Sequence, residues 1–122
     1  MPWTRKRGGK GKSSAGGGAP DLKELKQPLT VPATRQGRSK PLTFQLTEMA
    51  LNAFVFNCTS AVIKGEMMTM ELDLPGHGRT KLTGTVEWAL DSGSGTTGQI
   101  NIWTSPEQRV ALNQLIRQLR RH

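Results

Sequence analysis

The chain has no tyrosine, a single cysteine and an aromatic content of 5% over 122 residues. One thiol, Cys58, excludes a disulfide within the chain and leaves no Cys-x-x-Cys pair for zinc. That usage suits a reducing compartment, so a cytoplasmic location is expected. No apolar stretch approaches the length of a membrane span, and the cationic opening is followed by glycine and serine rather than by an apolar leader. Histidine is almost as scarce as cysteine. His77 lies in a Pro-Gly-His-Gly turn and His122 ends the chain, neither beside a nucleophile or an orienting group. A catalytic set needs all three, so no enzyme activity, cofactor or metal is expected.

Acidic residues are missing from the first 20 positions, which hold five cations and six glycines. Residues 1–40 carry ten Lys/Arg against Asp21 and Glu24, whereas residues 41–122 carry seven of each sign. The whole excess of +8 therefore sits on the N-terminal third. A neutral body with a cationic arm implies an anionic partner for the arm: nucleic acid, a phosphorylated small molecule or a membrane surface. Glycine and serine leave that arm's backbone free, so residues 1–22 are expected to form a flexible, disordered, basic tail. One domain is expected over residues 23–122.

Periodicity supplies the body. "DLKELKQP" is short enough for a single helical turn before Pro28. "PLTFQLT" alternates Leu42, Phe44 and Leu46 against polar residues, the period of a strand. A further strand centres on Phe54-Val55-Phe56. "MMTMELDL" places Met68, Met70, Leu72 and Leu74 on one face and leaves Met67 toward solvent. After the Pro75–Gly78 turn, "KLTGTVEW" aligns Leu82, Val86 and Trp88, with Gly84 interrupting the row as a bulge or tight bend. "GQINIW" turns Ile100 and Ile102 inward and Trp103 outward. The period then changes. Ser105 is placed as an N-cap, Pro106 at the first helical position and Gln108 three residues past the cap. Leu112, Leu115, Ile116 and Leu119 follow at helical spacing, so a helix is expected over 105–121. The fold class is therefore mainly β: a small antiparallel barrel or sandwich of five or six strands with one C-terminal amphipathic helix.

Two motif matches carry nothing. "GSGTTG" fits a dinucleotide fingerprint, but a strand follows it where a helix must open, so it reads as a hairpin loop. "NCT" fits a glycosylation acceptor without a secretory signal to use it.

The ordered set of pieces resembles the PilZ family over roughly residues 29–119. It comprises a polar motif before an apolar strand, the Gly65-Glu66 pair, a strand ending in Leu74-Pro75, a Gly84-x-Val86-x-Trp88 strand, a strand opening at Gly98, and a final helix after Ser105-Pro106-Glu107. The resemblance implies a six-stranded Greek-key barrel with a C-terminal helix, from a bacterium. It also implies a receptor for cyclic di-GMP, clasped by an RxxxR motif on the N-terminal arm and a D/N-x-S-x-x-G motif at a strand start. Arginine suits both phosphate and guanine, by forked hydrogen bonds and by stacking.

This chain departs from both motifs. Glu48 stands for the Asp/Asn, Ala50 for the Ser and Ala53 for the Gly. Where RxxxR is expected lies Lys23-Glu24-Leu25-Lys26, and Arg35 and Arg38 are spaced as RxxR. Three readings follow. The chain is a PilZ-like adaptor acting through a protein partner in motility, pili or biofilm control. Or it is a cyclic di-GMP receptor in which Arg5, Arg7, Arg35 or Arg38 replaces the missing groups around Glu48, Ala50 and Ala53. Or it is a small barrel that binds nucleic acid through its basic arm. Trp103, Arg117 and Arg120 are candidate partner contacts.

Overall fold

The computed structural model describes residues 20–121. The basic segment before Pro20, with Trp3, Arg5 and Arg7, lies outside the described residues, as does His122. Six strands precede one helix: β1 (Lys23–Arg35), β2 (Pro41–Met49), β3 (Ala53–Cys58), β4 (Met67–Leu74), β5 (Gly78–Asp91), β6 (Thr96–Ile102) and α1 (Pro106–Leu119). They close into an antiparallel barrel in the order β1-β2-β3-β6-β5-β4. Closure leaves no free strand edge. The β3–β4 connection must therefore cross one end of the barrel past β6 and β5, the Greek-key step. It is held there by Val62 N–H donating to Thr96 Oγ1 (3.1 Å), Thr96 Oγ1 donating to the Ser60 carbonyl (2.8 Å) and Gly65 N–H donating to the Val86 carbonyl (2.8 Å).

The alternating residues form the core. Phe44, Phe54, Phe56, Leu46, Met68, Met70, Leu82 and Ile100 are essentially without solvent contact. Phe44 and Phe56 stack with ring centroids 4.1 Å apart. Met67 lies outside, as its phase predicts. α1 packs on β1 and β4 and buries Ala111, Leu112 and Ile116. Each of the two larger side chains contributes about 1.5–3 kcal/mol by leaving water. The helix starts as its sequence requires. Ser105 Oγ accepts from Gln108 N–H (3.1 Å), Gln108 Oε1 accepts from Ser105 N–H (2.9 Å), and Pro106 needs no donor.

Four expectations are corrected. "DLKELKQP" is not a helical turn. It is the start of β1, with Lys23 opposite Met49 and Glu24 opposite Glu48. Leu25 is buried and bridges to Arg120, a tertiary contact that outweighs the local preference. Pro28 falls in the register shift between Glu24 and Leu29, where no ladder N–H is needed. Trp88 is not in line with Leu82 and Val86. A register shift between Val86 and Trp88 turns it to the outer side, where its Nε1–H donates to Gln99 Oε1 (3.1 Å). Ala89 takes the inward place. Gly84 marks a close approach instead of the bulge: a Cβ there would run into the Asn101 carbonyl. The helix itself ends at Leu119, with Arg120 as an extended C-cap.

Candidate functional site

A surface concavity of about 810 Å³ lies between α1 and the β2–β3 turn. The turn is set by its own backbone. Ala50 N–H donates to the Ala53 carbonyl (2.8 Å), and the Asn52 carbonyl accepts from Ile102 N–H (2.9 Å). Asn52 projects from the turn as an exposed residue, while Ala50 and Ala53 are buried.

The helix supplies the opposite wall. Arg109, Asn113, Arg117 and Arg120 all line the groove. Arg109, Asn113 and Arg117 recur every four residues along one side of the helix, next to the buried Leu112–Ile116 face, and Arg120 follows at the extended C-cap. Ile116 and Leu51 supply apolar surface between the walls. Lys23 adds a fourth cation and Asp21 the one carboxylate among the groove's residues. These two pair with each other, Nζ to Oδ2 at 3.2 Å. Among the described residues, no ion pair involves Arg109, Arg117 or Arg120. The groove is therefore an uncompensated positive surface, and its chemistry is the capture of an anion.

The predicted residues divide between the two barrel ends. Ala50 belongs to the groove, and Glu48 and Ala53 flank it at the end of β2 and the start of β3. Arg35 and Arg38 do not join them. β1 pairs Lys23 with Met49 at one end and Thr34 with Pro41 at the other. Arg35 thus ends the strand twelve residues beyond Lys23, on the order of 35–40 Å along an extended chain. Its Nε lies 3.2 Å from Glu66 Oε2, and its guanidinium also donates to the Ala61 carbonyl. Glu66 Oε1 in turn accepts from Ile63 N–H (2.9 Å). Arg35 therefore pins the crossing loop. Arg38 is exposed in the following turn, its N–H donating to the Arg35 carbonyl (3.0 Å).

Trp103 is 83% exposed and stands at a shallow cleft that also includes Arg109. Arg109, Asn52 and Asn113 are site residues that sequence reading missed. The signal was present in the helical spacing that links Arg109 to Arg117 and Arg120.

The remaining nucleophile is quiet. Burial pushes the Cys58 thiol above its ordinary pKa, against the lowering effect of hydrogen bonds around Ser60 and Thr96. Its Sγ–H donates to the Ser60 carbonyl at 3.3 Å. A thiol held protonated is a poor nucleophile.

Barrel order, crossing loop and closing helix find a counterpart among solved structures. The PilZ domain of YcgR from Escherichia coli, determined with c-di-GMP, superimposes with a TM-score of 0.62, covering 83% of this chain and 89% of that one. The fold is that of a PilZ domain. Sequence identity to that PilZ domain is 15%, and neither a family profile nor a curated protein matches the chain. The PilZ architecture thus persists here on largely different residues. No helix among the described residues is long and apolar enough to cross a membrane.

Proposed function

We propose that this chain is a bacterial, cytoplasmic signalling domain of PilZ type that acts through a protein partner, in the control of motility, pili or biofilm, without the usual cyclic di-GMP clasp. It binds and does not catalyse. The observation that carries this reading is the separation of the predicted ligand residues. Arg35 and Arg38 stand at the far end of β1 from Glu48, Ala50 and Ala53. At the near end, two of the three motif positions carry methyl groups, which neither donate nor accept, and the third carries a carboxylate that repels phosphate. Calorimetry with cyclic di-GMP on the full chain tests it. The expected result is no saturable heat; saturation at micromolar ligand would overturn it.

A second reading keeps cyclic di-GMP as ligand, and one observation favours it. Pro20 and Asp21 line the groove beside Ala50 and Asn52, and Arg5 and Arg7 precede them in the sequence. Under this reading the full chain saturates and a chain starting at residue 20 does not.

A further inference from the structure

We propose that the groove between α1 and the β2–β3 turn holds an extended acidic segment of a protein partner, in which carboxylates alternate with apolar residues. The proposal rests on the adaptor reading and names the partner's chemistry.

Four features of the groove select that occupant. The first is charge: Arg109, Arg117 and Arg120 line one wall, and no ion pair among the described residues engages them. Each offers a planar fork that fits a carboxylate by two parallel hydrogen bonds. The second is length. Arg109 to Arg120 spans roughly 16 Å of helix at ~1.5 Å per residue, which matches about five residues of extended chain at ~3.3 Å each. The third is the pair of amides. Asn52 on the turn and Asn113 on the helix stand on opposite walls. Each side chain both donates and accepts, as a peptide backbone requires when no free strand edge is available to it. The fourth is the apolar strip of Ile116 and Leu51 between the walls, with no aromatic residue among the described residues that line the groove. Such a strip suits aliphatic side chains, whereas a nucleotide base generally seeks an aromatic platform. Trp103, the exposed aromatic among the described residues, belongs to the neighbouring cleft beyond Arg109.

The sequence adds a fifth argument. Five cations and no acid precede Pro20, and Pro20 lines the groove. The chain's excess of +8, all of it within residues 1–40, steers an acidic partner toward the chain.

The test begins with a phage-displayed random peptide library selected on the immobilised full chain. The expected consensus alternates Asp or Glu with aliphatic residues. A fluorescein-labelled consensus peptide is then titrated by anisotropy. Its affinity should fall more than about tenfold against Arg109→Glu/Arg117→Glu, both exposed helix positions, and stay unchanged against Lys81→Glu on β5. Amide shifts of the wild-type chain should move at Asn52 and Asn113 on peptide addition, a readout independent of any variant's folding. Selection without a consensus, a consensus without acids, equal loss with Lys81→Glu, or shifts confined elsewhere would each overturn the proposal. So would displacement of the peptide by oligothymidylate, which would make the groove a nucleic-acid site. The two readings fail separately: saturation by cyclic di-GMP sinks the adaptor reading, and loss of peptide specificity sinks this one.

Discussion

Arg35 ends β1 with its guanidinium against Glu66 on one side and the Ala61 carbonyl on the other. Both ionic side chains are about three-quarters shielded from solvent, so their attraction is screened less than that of a surface pair. A double-mutant cycle of Arg35→Ala and Glu66→Ala should therefore return a coupling of roughly 1 kcal/mol in urea unfolding. A coupling near zero would mean that the pair does not hold the crossing loop. Cys58 gives a second test at this scale. Its thiol pKa is raised by burial, so the protonated form is favoured in the folded state. Stability from this group is present below the ordinary thiol pKa and declines as pH rises through the raised one. At mildly alkaline pH, Cys58 should react with a disulfide reagent more slowly in the native chain than in urea; equal rates would contradict the assignment. Gly84 is a third. Adding a methyl group drives it into the Asn101 carbonyl and Ile100, so Gly84→Ala should cost roughly 1–3 kcal/mol in the same unfolding assay.

Among the elements, α1 is the one whose starting chemistry was fully legible. Ser105, Pro106 and Gln108 announce its start, and both hydrogen bonds of the box form. Ser105→Ala should lower stability by about 1 kcal/mol, seen as a drop in melting temperature of a few degrees. An unchanged melting curve would place the helix start under packing control instead. In β1 only the second half, "LTVPATR", reads as an extended piece. Leu25, Val31 and Ala33 are its buried residues and share one phase, but Lys26, Gln27 and Pro28 between Leu25 and the rest are exposed. That polar gap hides the strand's start, and Pro28 inside it reads as a terminator. β5 fails for another reason at Trp88, because an extra residue reverses every later side chain. Strands that keep register, such as β4, were read residue by residue: Met68, Met70, Leu72 and Leu74 are buried and Asp73 is exposed.

At the scale of the whole molecule, the barrel separates two sets of residues that the sequence alone leaves free to meet. Arg35 and Arg38 lie at the crossing-loop end, whereas Glu48, Ala50 and Ala53 lie at the helix end. No spacing rule reveals this, because it depends on which way β1 runs against β2. The groove was legible in part, through Arg117 and Arg120. Its other wall comes from the β2–β3 turn, some sixty residues earlier in the chain, and only tertiary closure brings the two together. On the adaptor reading, recognition lies on the helix side and the motif turn is silent toward cyclic di-GMP. The most direct measurement is an amide chemical-shift titration of the full chain with cyclic di-GMP. Resonances of Glu48–Ala53 should stay in place through millimolar ligand. Saturating shifts at those residues, with micromolar affinity, would contradict the account.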